Sequence, residues 1–191
     1  MRLTGGQLRG RKVKACGMGR PSAHGALRAT SSRVREAVFN IAGQDMEGKI
    51  FVDLYAGTGA MGMEAMSRGA QKVYFVESDP VRYRSIKETL QGCGCGPKAH
   101  MLNATAEEFL RLLSQNSERV DIFFLDPPYD SDEIERVLPL IDQSRALAAN
   151  GIVLAEHRKD RIMPEEAGLL FKSKAYKYGD TMLSLYRIKD E

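Results

Sequence analysis

The pattern of apolar and polar positions divides the chain into an irregular start and a long alternation of strand-like and helix-like stretches. Residues 1–15 place two short segments, 1–4 and 11–15, around Gly5, Gly6 and Gly10, which predicts a small β-hairpin. Residues 17–29 carry Gly, Ser and Pro without a period and read as a loop. Ser31 or Ser32 then precedes Val34, Ala37, Val38 and Ile41, spaced i, i+3, i+4 and i+7, so a capped helix should bury that stripe and leave Arg33 and Arg35 off it.

From Lys49 onward the pattern is β-α-β. Residues 50–55 read as a buried strand, a Gly-rich turn follows, a helix begins at Met61, and residues 72–77 form the next strand. Asp79 before Pro80 opens a helix, because an Asp cap satisfies orphan N–H donors and Pro pre-sets the first helical φ. Tyr83, Ile86 and Leu90 give that helix its apolar stripe. A weaker strand covers residues 98–102, and Thr105 with Glu108 has capping-box spacing ahead of Phe109, Leu112 and Leu113. Residues 121–126 are a short apolar run of central-strand type, followed by a helix marked by Ile134, Val137, Leu138 and Ile141 and by a strand at 151–156. Residues 169–176 and 181–188 flank Tyr178, Gly179 and Asp180 and should pair as an antiparallel hairpin. Alternating βα units imply an α/β fold whose parallel sheet has helices on both faces, with this hairpin at one edge.

At 191 residues the chain fits one domain, a basic hairpin and loop at 1–30 followed by a core at 31–191, with no internal repeat. A hydrophobic fraction of 43% with no apolar run near the ~20 residues of a membrane helix excludes a membrane-spanning chain. The first residues lack the apolar centre of a secretory signal, so a cytoplasmic, monomeric protein is expected. Charge is informative by place. Residues 1–35 hold nine Lys or Arg and no acid, so a net charge of +3 leaves −6 for the remainder. That asymmetry points to a polyanionic partner, with a solvated tail as the plainer reading. Cys16, Cys93 and Cys95 lack metal-site spacing, and His24, His100 and His157 suggest no ligand set and are expected on the surface or in loops, so no metal is expected.

Two constellations carry chemistry. The first is Asp53-Leu54-Tyr55-Ala56-Gly57-Thr58-Gly59-Ala60, between strand and helix, where glycines let the backbone approach a ligand and the acid can accept from it. Glu77 ends the next strand twenty residues after Gly57, where an acid grips ribose hydroxyls in nucleotide-binding βαβ units. The turn lacks the third glycine of a dinucleotide fingerprint and the Gly-Lys-Ser/Thr of a P-loop. It resembles the S-adenosylmethionine motif of class I methyltransferases, which implies cofactor contacts at Asp53, Ala56, Gly57, Thr58, Gly59, Ala60, Glu77 and Ser78, and at Asn103 and Ala104 beside the adenine. Met61, Met63 and Met66 are read as core filling.

The second constellation is Asp126-Pro127-Pro128-Tyr129. Two prolines fix φ and remove two donors, so the turn offers carbonyl acceptors and one carboxylate to an amino group, while Tyr129 can stack on a base. The tetrapeptide resembles the signature of amino-methyltransferases. Three further stretches narrow the resemblance to the RsmD family, the small-subunit rRNA guanine-N2 methyltransferases. They are Thr4-Gly5-Gly6-Gln7-Leu8-Arg9-Gly10-Arg11-Lys12, the run from Arg28 to Asn40, and the run from Tyr178 to Tyr186. With Asp53 to Ala60, Gly62 to Ala70 and Asp126 to Tyr129 they span nearly the whole chain.

The family implies a Rossmann-like, mostly parallel seven-stranded sheet and methyl transfer from S-adenosylmethionine to a guanine 2-amino group in small-subunit rRNA or an assembly intermediate of the subunit. It assigns catalysis to Asp126, Pro127, Pro128 and Tyr129, and RNA contacts to Arg2, Arg9, Arg11, Lys12, Lys14, Arg28, Arg33 and Arg35. Ala29 and Ser32 depart from it, standing where the family usually shows Pro and Asp. Adenine-N6 methylation, protein-glutamine methylation, a non-catalytic RNA-binding protein on the same fold and a dinucleotide-dependent oxidoreductase are the alternatives.

Overall fold

A computed structural model describes residues 2–11, 31–92 and 96–189. Within them the elements run α1 (Ser32–Ala42), β1 (Ile50–Asp53), α2 (Ala60–Ser67), β2 (Lys72–Val76), α3 (Pro80–Gly92), a 3-10 turn (Gly96–Lys98), β3 (Ala99–Leu102), α4 (Ala106–Leu113), β4 (Val120–Leu125), α5 (Glu133–Ser144), β5 (Leu147–Arg158), β6 (Glu166–Ala167), β7 (Leu170–Tyr178) and β8 (Thr181–Ile188). The caps form as their chemistry requires. The Ser31 hydroxyl accepts from Val34 N–H at 3.2 Å, and Thr105 and Glu108 complete a reciprocal capping box.

One sheet joins every strand in the order β3-β2-β1-β4-β5-β8-β7-β6. β1 is parallel to both β2 and β4, so the chain leaves β1 toward one edge and returns to its other side. The crevice between the ends of β1 and β4 is the switch point at which open α/β sheets bind ligands. β8 inserts antiparallel between β5 and β7. The expected hairpin is therefore present, but its second strand is the one that joins the core. α1, α2 and α3 cover one face through Val38, Phe39, Met61, Met63 and Ile86, and Phe39 stacks on Phe51 with ring centroids 5.8 Å apart. α4 and α5 cover the other through Phe109, Leu110, Ile134 and Leu138. Burial on both faces is why β4 is apolar without alternation.

In the amino-terminal segment Leu3 N–H bonds Arg11 C=O at 3.2 Å and Gly10 N–H bonds Leu3 C=O at 2.9 Å, around turns at residues 5–10 where they were expected. The remainder of the expected hairpin, and the loop at 17–29, lie outside the described residues. Three expectations are corrected. Among the described residues the sheet has eight strands, because β6 adds a two-residue pairing with β7 that is too short to leave a periodic signature. Arg35 is buried, because the amino-terminal segment lies on the side of α1 that the apolar stripe left polar, and its guanidinium donates to Arg2 C=O at 3.1 Å. His157 is also buried, in β5, with its ring nitrogens 2.8 Å from Ser184 Oγ and from Arg158 C=O, and His100 lies in β3 against Tyr74. Burial lowers the His157 pKa, so the imidazole is a neutral member of the sheet interior.

Among the described residues no helix is long and apolar enough to cross a membrane, and no group of three His, Cys, Asp or Glu is arranged to hold a metal ion.

The first turns of α2 lie so close to β2 that a Cβ on Gly62 would stand 2.2 Å from the ring of the fully buried Phe75. Gly62→Ala should therefore lower stability by about 1–3 kcal/mol, the usual cost of overpacking, as read by urea unfolding. An unchanged midpoint would mean that the helix can slide away from the sheet.

Candidate active site

The loop after β1 is held from behind. Leu54 N–H continues the β1–β4 ladder to Phe124 C=O at 3.0 Å and Ala56 N–H reaches Val76 C=O at 2.9 Å, so the loop starts flush with the neighbouring strand ends. It then turns through Gly57 at φ 54° and Gly59 at φ 74°, left-handed conformations that favour glycine, and Gly59 caps α2. Asp53, 1% exposed, lies beneath the turn and accepts from Gly62 N–H at 3.2 Å. Its carboxyl group thus ties the end of β1 to the first turn of α2.

Glu77 does similar work from β2. One carboxylate oxygen takes Gly57 N–H at 2.8 Å and the other takes Asp79 N–H at 2.9 Å, with Arg82 3.8 Å away. Each carboxylate oxygen has a further lone-pair site, so both remain able to accept from a diol. The Asn103 amide donates to Glu77 C=O at 2.8 Å and Ser78 C=O at 3.1 Å, which ties the end of β3 to the end of β2. Ser78 and Asn103 are exposed, Ala56 and Ala60 are buried in the turn, and Ala104 and Gly57 are half-buried. Thr58 is buried beside them.

Asp126-Pro127-Pro128-Tyr129 leaves the end of β4, the neighbour of β1, and the structure brings it to the glycine turn. Burial pushes the Asp53 carboxyl up to about 8; the N–H of Gly62 opposes this, while the charges of Asp126 and Glu77 add to it. Three carboxyl groups from three strand ends therefore share one field. The acceptor set in the proline turn is narrower than the sequence suggests. Pro128 C=O already accepts from Ser131 N–H at 3.1 Å and Ser131 Oγ at 2.7 Å, and Tyr129 C=O from Arg161 at 3.3 Å.

Sequence reasoning missed the groups that hold Tyr129. Its hydroxyl donates to the buried Glu156 carboxylate at 3.1 Å and lies 3.4 Å from Thr181 Oγ1. Burial pushes that hydroxyl up to about 12, helped by the charges of Glu156 and Asp126, so it remains a donor at neutral pH. Arg161 also pairs with Glu135, which braces the outer side of the turn against α5. Glu156 sits within an apolar run of β5 and could have been noticed as the one acid there; nothing in the sequence pairs Arg161 with residues 129 and 135.

Of the basic residues assigned to RNA, Arg2, Arg9, Arg11 and Arg33 are exposed. Arg35 is withdrawn from that set by its burial, and Lys12, Lys14 and Arg28 lie outside the described residues.

This sheet order, with a glycine turn after the first strand and an acid closing the second, defines the class I S-adenosylmethionine-dependent methyltransferase fold. The chain belongs to the family described as Conserved hypothetical protein 95, which matches residues 1–187, and the resemblance drawn from its motifs is borne out. It is 34% identical over 173 residues to Ribosomal RNA small subunit methyltransferase D of Haemophilus influenzae, covering 89% of this chain and 86% of that one. It is 32% identical over 187 residues to YlbH of Bacillus subtilis strain 168, covering 98% of each. Among solved structures, Escherichia coli yhhF superposes with a TM-score of 0.82 over 100% of this chain and 99% of that one, at 24% identity, a likeness of fold.

The residues present fit S-adenosylmethionine on physical grounds. A turn whose Gly57 and Gly59 carry no side chain, with no basic residue in it for a phosphate and with the Glu77 carboxylate beside it to accept from a ribose diol, suits a nucleoside ligand of this kind.

Because the folded-state pKa of Asp53 lies above its ordinary 3.8, the folded protein keeps a proton between pH 3.8 and about 8 that the unfolded chain has lost. Stability contributed by the neutral acid is therefore lost as pH rises through that window. Asp53→Asn keeps an acceptor for Gly62 N–H without the charge. In cofactor-free protein its stability relative to wild type should improve across the window and then level off, as read by urea unfolding at stepped pH; a flat difference would place the Asp53 pKa elsewhere.

Proposed function

We propose that the protein transfers the methyl group of S-adenosylmethionine to the exocyclic 2-amino group of a guanine in small-subunit rRNA. The observation that carries this reading is the proline turn at the end of β4, set beside the glycine turn at the end of β1, with Asp126 close enough to raise the Asp53 pKa. Gly57, Gly59, Glu77, Ser78, Asn103 and Ala104 would hold the cofactor, with Asp53 fixing the loop from behind. The cofactor would supply a methyl group on a sulfonium sulfur, electrophilic enough for a neutral amine.

The chain's own residues supply orientation. The lone pair of a base amine is delocalised into its ring, so Asp126 and Pro127 C=O, accepting from the two N–H bonds, turn the nitrogen toward the donor. Tyr129, its hydroxyl tethered to Glu156, presents its ring to the base, a stacking contact worth about 1–3 kcal/mol. Positioning of this kind accounts for roughly 7–11 kcal/mol of barrier reduction. Asp126 need not remove a proton first, since the nitrogen becomes acidic once methylated. Residues 1–30 act as a basic extension whose Arg2, Arg9 and Arg11, together with Arg33 of α1, face the phosphates.

Undermethylated small ribosomal subunits incubated with labelled S-adenosylmethionine should yield N2-methylguanosine on nucleoside mass analysis, whereas N6-methyladenosine would redirect the assignment. Asp126→Ala should cut turnover by at least about 100-fold, the usual cost of losing one oriented polar contact at a reacting centre, with cofactor affinity by calorimetry unchanged. Near-normal turnover would remove Asp126 from the mechanism.

A further inference from the structure

The buried charge cluster on α2 has no part in the chemistry described above. Glu64 is fully buried, yet its carboxylate accepts from Thr4 N–H at 3.0 Å, Thr4 Oγ1 at 2.8 Å and Gly5 N–H at 2.7 Å, residues some sixty positions earlier in the chain. Arg68, one helical turn on, donates to the same carboxylate from Nε at 3.1 Å and from Nη2 at 3.0 Å. The Arg68 guanidinium also lies 4.6 Å from the Phe39 ring centroid and bonds Gln44. The Arg35 guanidinium is 3.9 Å from Glu64.

Ser67 completes the seat. Its hydroxyl donates to Gly5 C=O at 2.6 Å and accepts from Leu8 N–H at 3.1 Å, while its C=O takes Gln7 N–H at 2.7 Å. A Cβ on Gly6, at φ 73°, would lie 1.8 Å from Ser67 C=O, so only glycine permits the approach. The inward side of this segment, with Leu3 buried, is wholly engaged, and the outward side carries the exposed Arg2, Arg9 and Arg11.

We propose that Glu64 is a positioning residue for RNA recognition, holding the basic amino-terminal segment in one register against the helix that begins at the cofactor loop. The physical reason is that α2 is short and stiff. Gly59 caps its first turn, Glu64 and Ser67 lie in its last turn and Arg68 is its C-cap, so one element spaces the arginines from the methyl donor. A buried carboxylate bonded to backbone N–H groups resists sliding better than apolar packing, because any slip strands a charge without its donors. The inference rests on the proposal that this segment contacts rRNA, and the experiment separates the two.

Three variants of the full chain are compared with wild type for binding protein-free small-subunit rRNA across a salt series, and for S-adenosylmethionine affinity by calorimetry. Arg9→Ala with Arg11→Ala tests the contact itself. Glu64→Gln removes the anchoring charge. Gly6→Ala displaces the segment while leaving the buried charges intact, and it decides the matter if Glu64→Gln does not fold. Each anchor variant should weaken rRNA binding at least about tenfold and flatten the dependence of log K on log salt by about 2–3, the contribution of three phosphate contacts. Cofactor affinity should stay within about twofold, which a general loss of structure would not allow. If the arginine variant weakens binding but Glu64→Gln and Gly6→Ala do not, the anchoring role is overturned alone. If none weakens binding, the rRNA contact falls and the anchoring role with it.

Discussion

Buried carboxylates that accept backbone N–H groups organise this molecule. Asp53 takes Gly62 N–H, Glu77 takes Gly57 and Asp79 N–H, and Glu64 takes Thr4 and Gly5 N–H. All these donors belong to turns or helix starts, where no ladder partner exists and a buried N–H left unpaired costs free energy. Where the acceptor is ionised, as in the ion pair of Glu64 with Arg68, it meets that need more strongly than a neutral one. The glycine turn keeps its left-handed residues because it is braced from β1 and β2 at once. Without both braces a loop with two positive-φ glycines would sample many conformations, and the ordering of its ligand site would have to be supplied at binding.

The same device carries an electrostatic cost. Burial disfavours ionisation of Asp53, and the charges of Asp126 and Glu77 add to that penalty. Tyr129 shows the same balance. Burial, helped by the charges of Glu156 and Asp126, holds its hydroxyl protonated, so it serves as a donor that fixes the ring and takes no part as a base. Electrostatics and geometry therefore assign separate tasks to groups within one crevice.

α2 connects these ideas. Its first turn receives the glycine loop, its underside is pressed against Phe75 through Gly62, and its last turns hold the amino-terminal segment through Glu64, Ser67 and Arg68. A short helix locked at three places moves as a unit, so the surface that would meet RNA and the loop that would meet the methyl donor keep a constant separation.

Much of this was legible in the residues alone, because strands, caps and turns are local. The Asp79-Pro80 start of α3, the capping box of Thr105 and Glu108, the glycine turn and the proline turn each follow from neighbours within a few positions, and βα alternation dictated a parallel sheet with its ligand at the strand ends. Apart from the two-residue β6, where the sequence led astray the cause was a partner distant along the chain. Arg35 reads as solvent-facing on a helical wheel and is covered because residues 2–11 return over it; His157 reads as exposed and is buried because β8 pairs beside β5. Glu156 reads as a single acid in an apolar strand and meets the Tyr129 hydroxyl, 27 positions earlier, only in the folded chain. Periodicity and turn chemistry are fixed by bonds and sterics a few residues wide. Which side chain covers, charges or anchors another depends on how the packed layers bring remote segments together, and only the tertiary structure decided that.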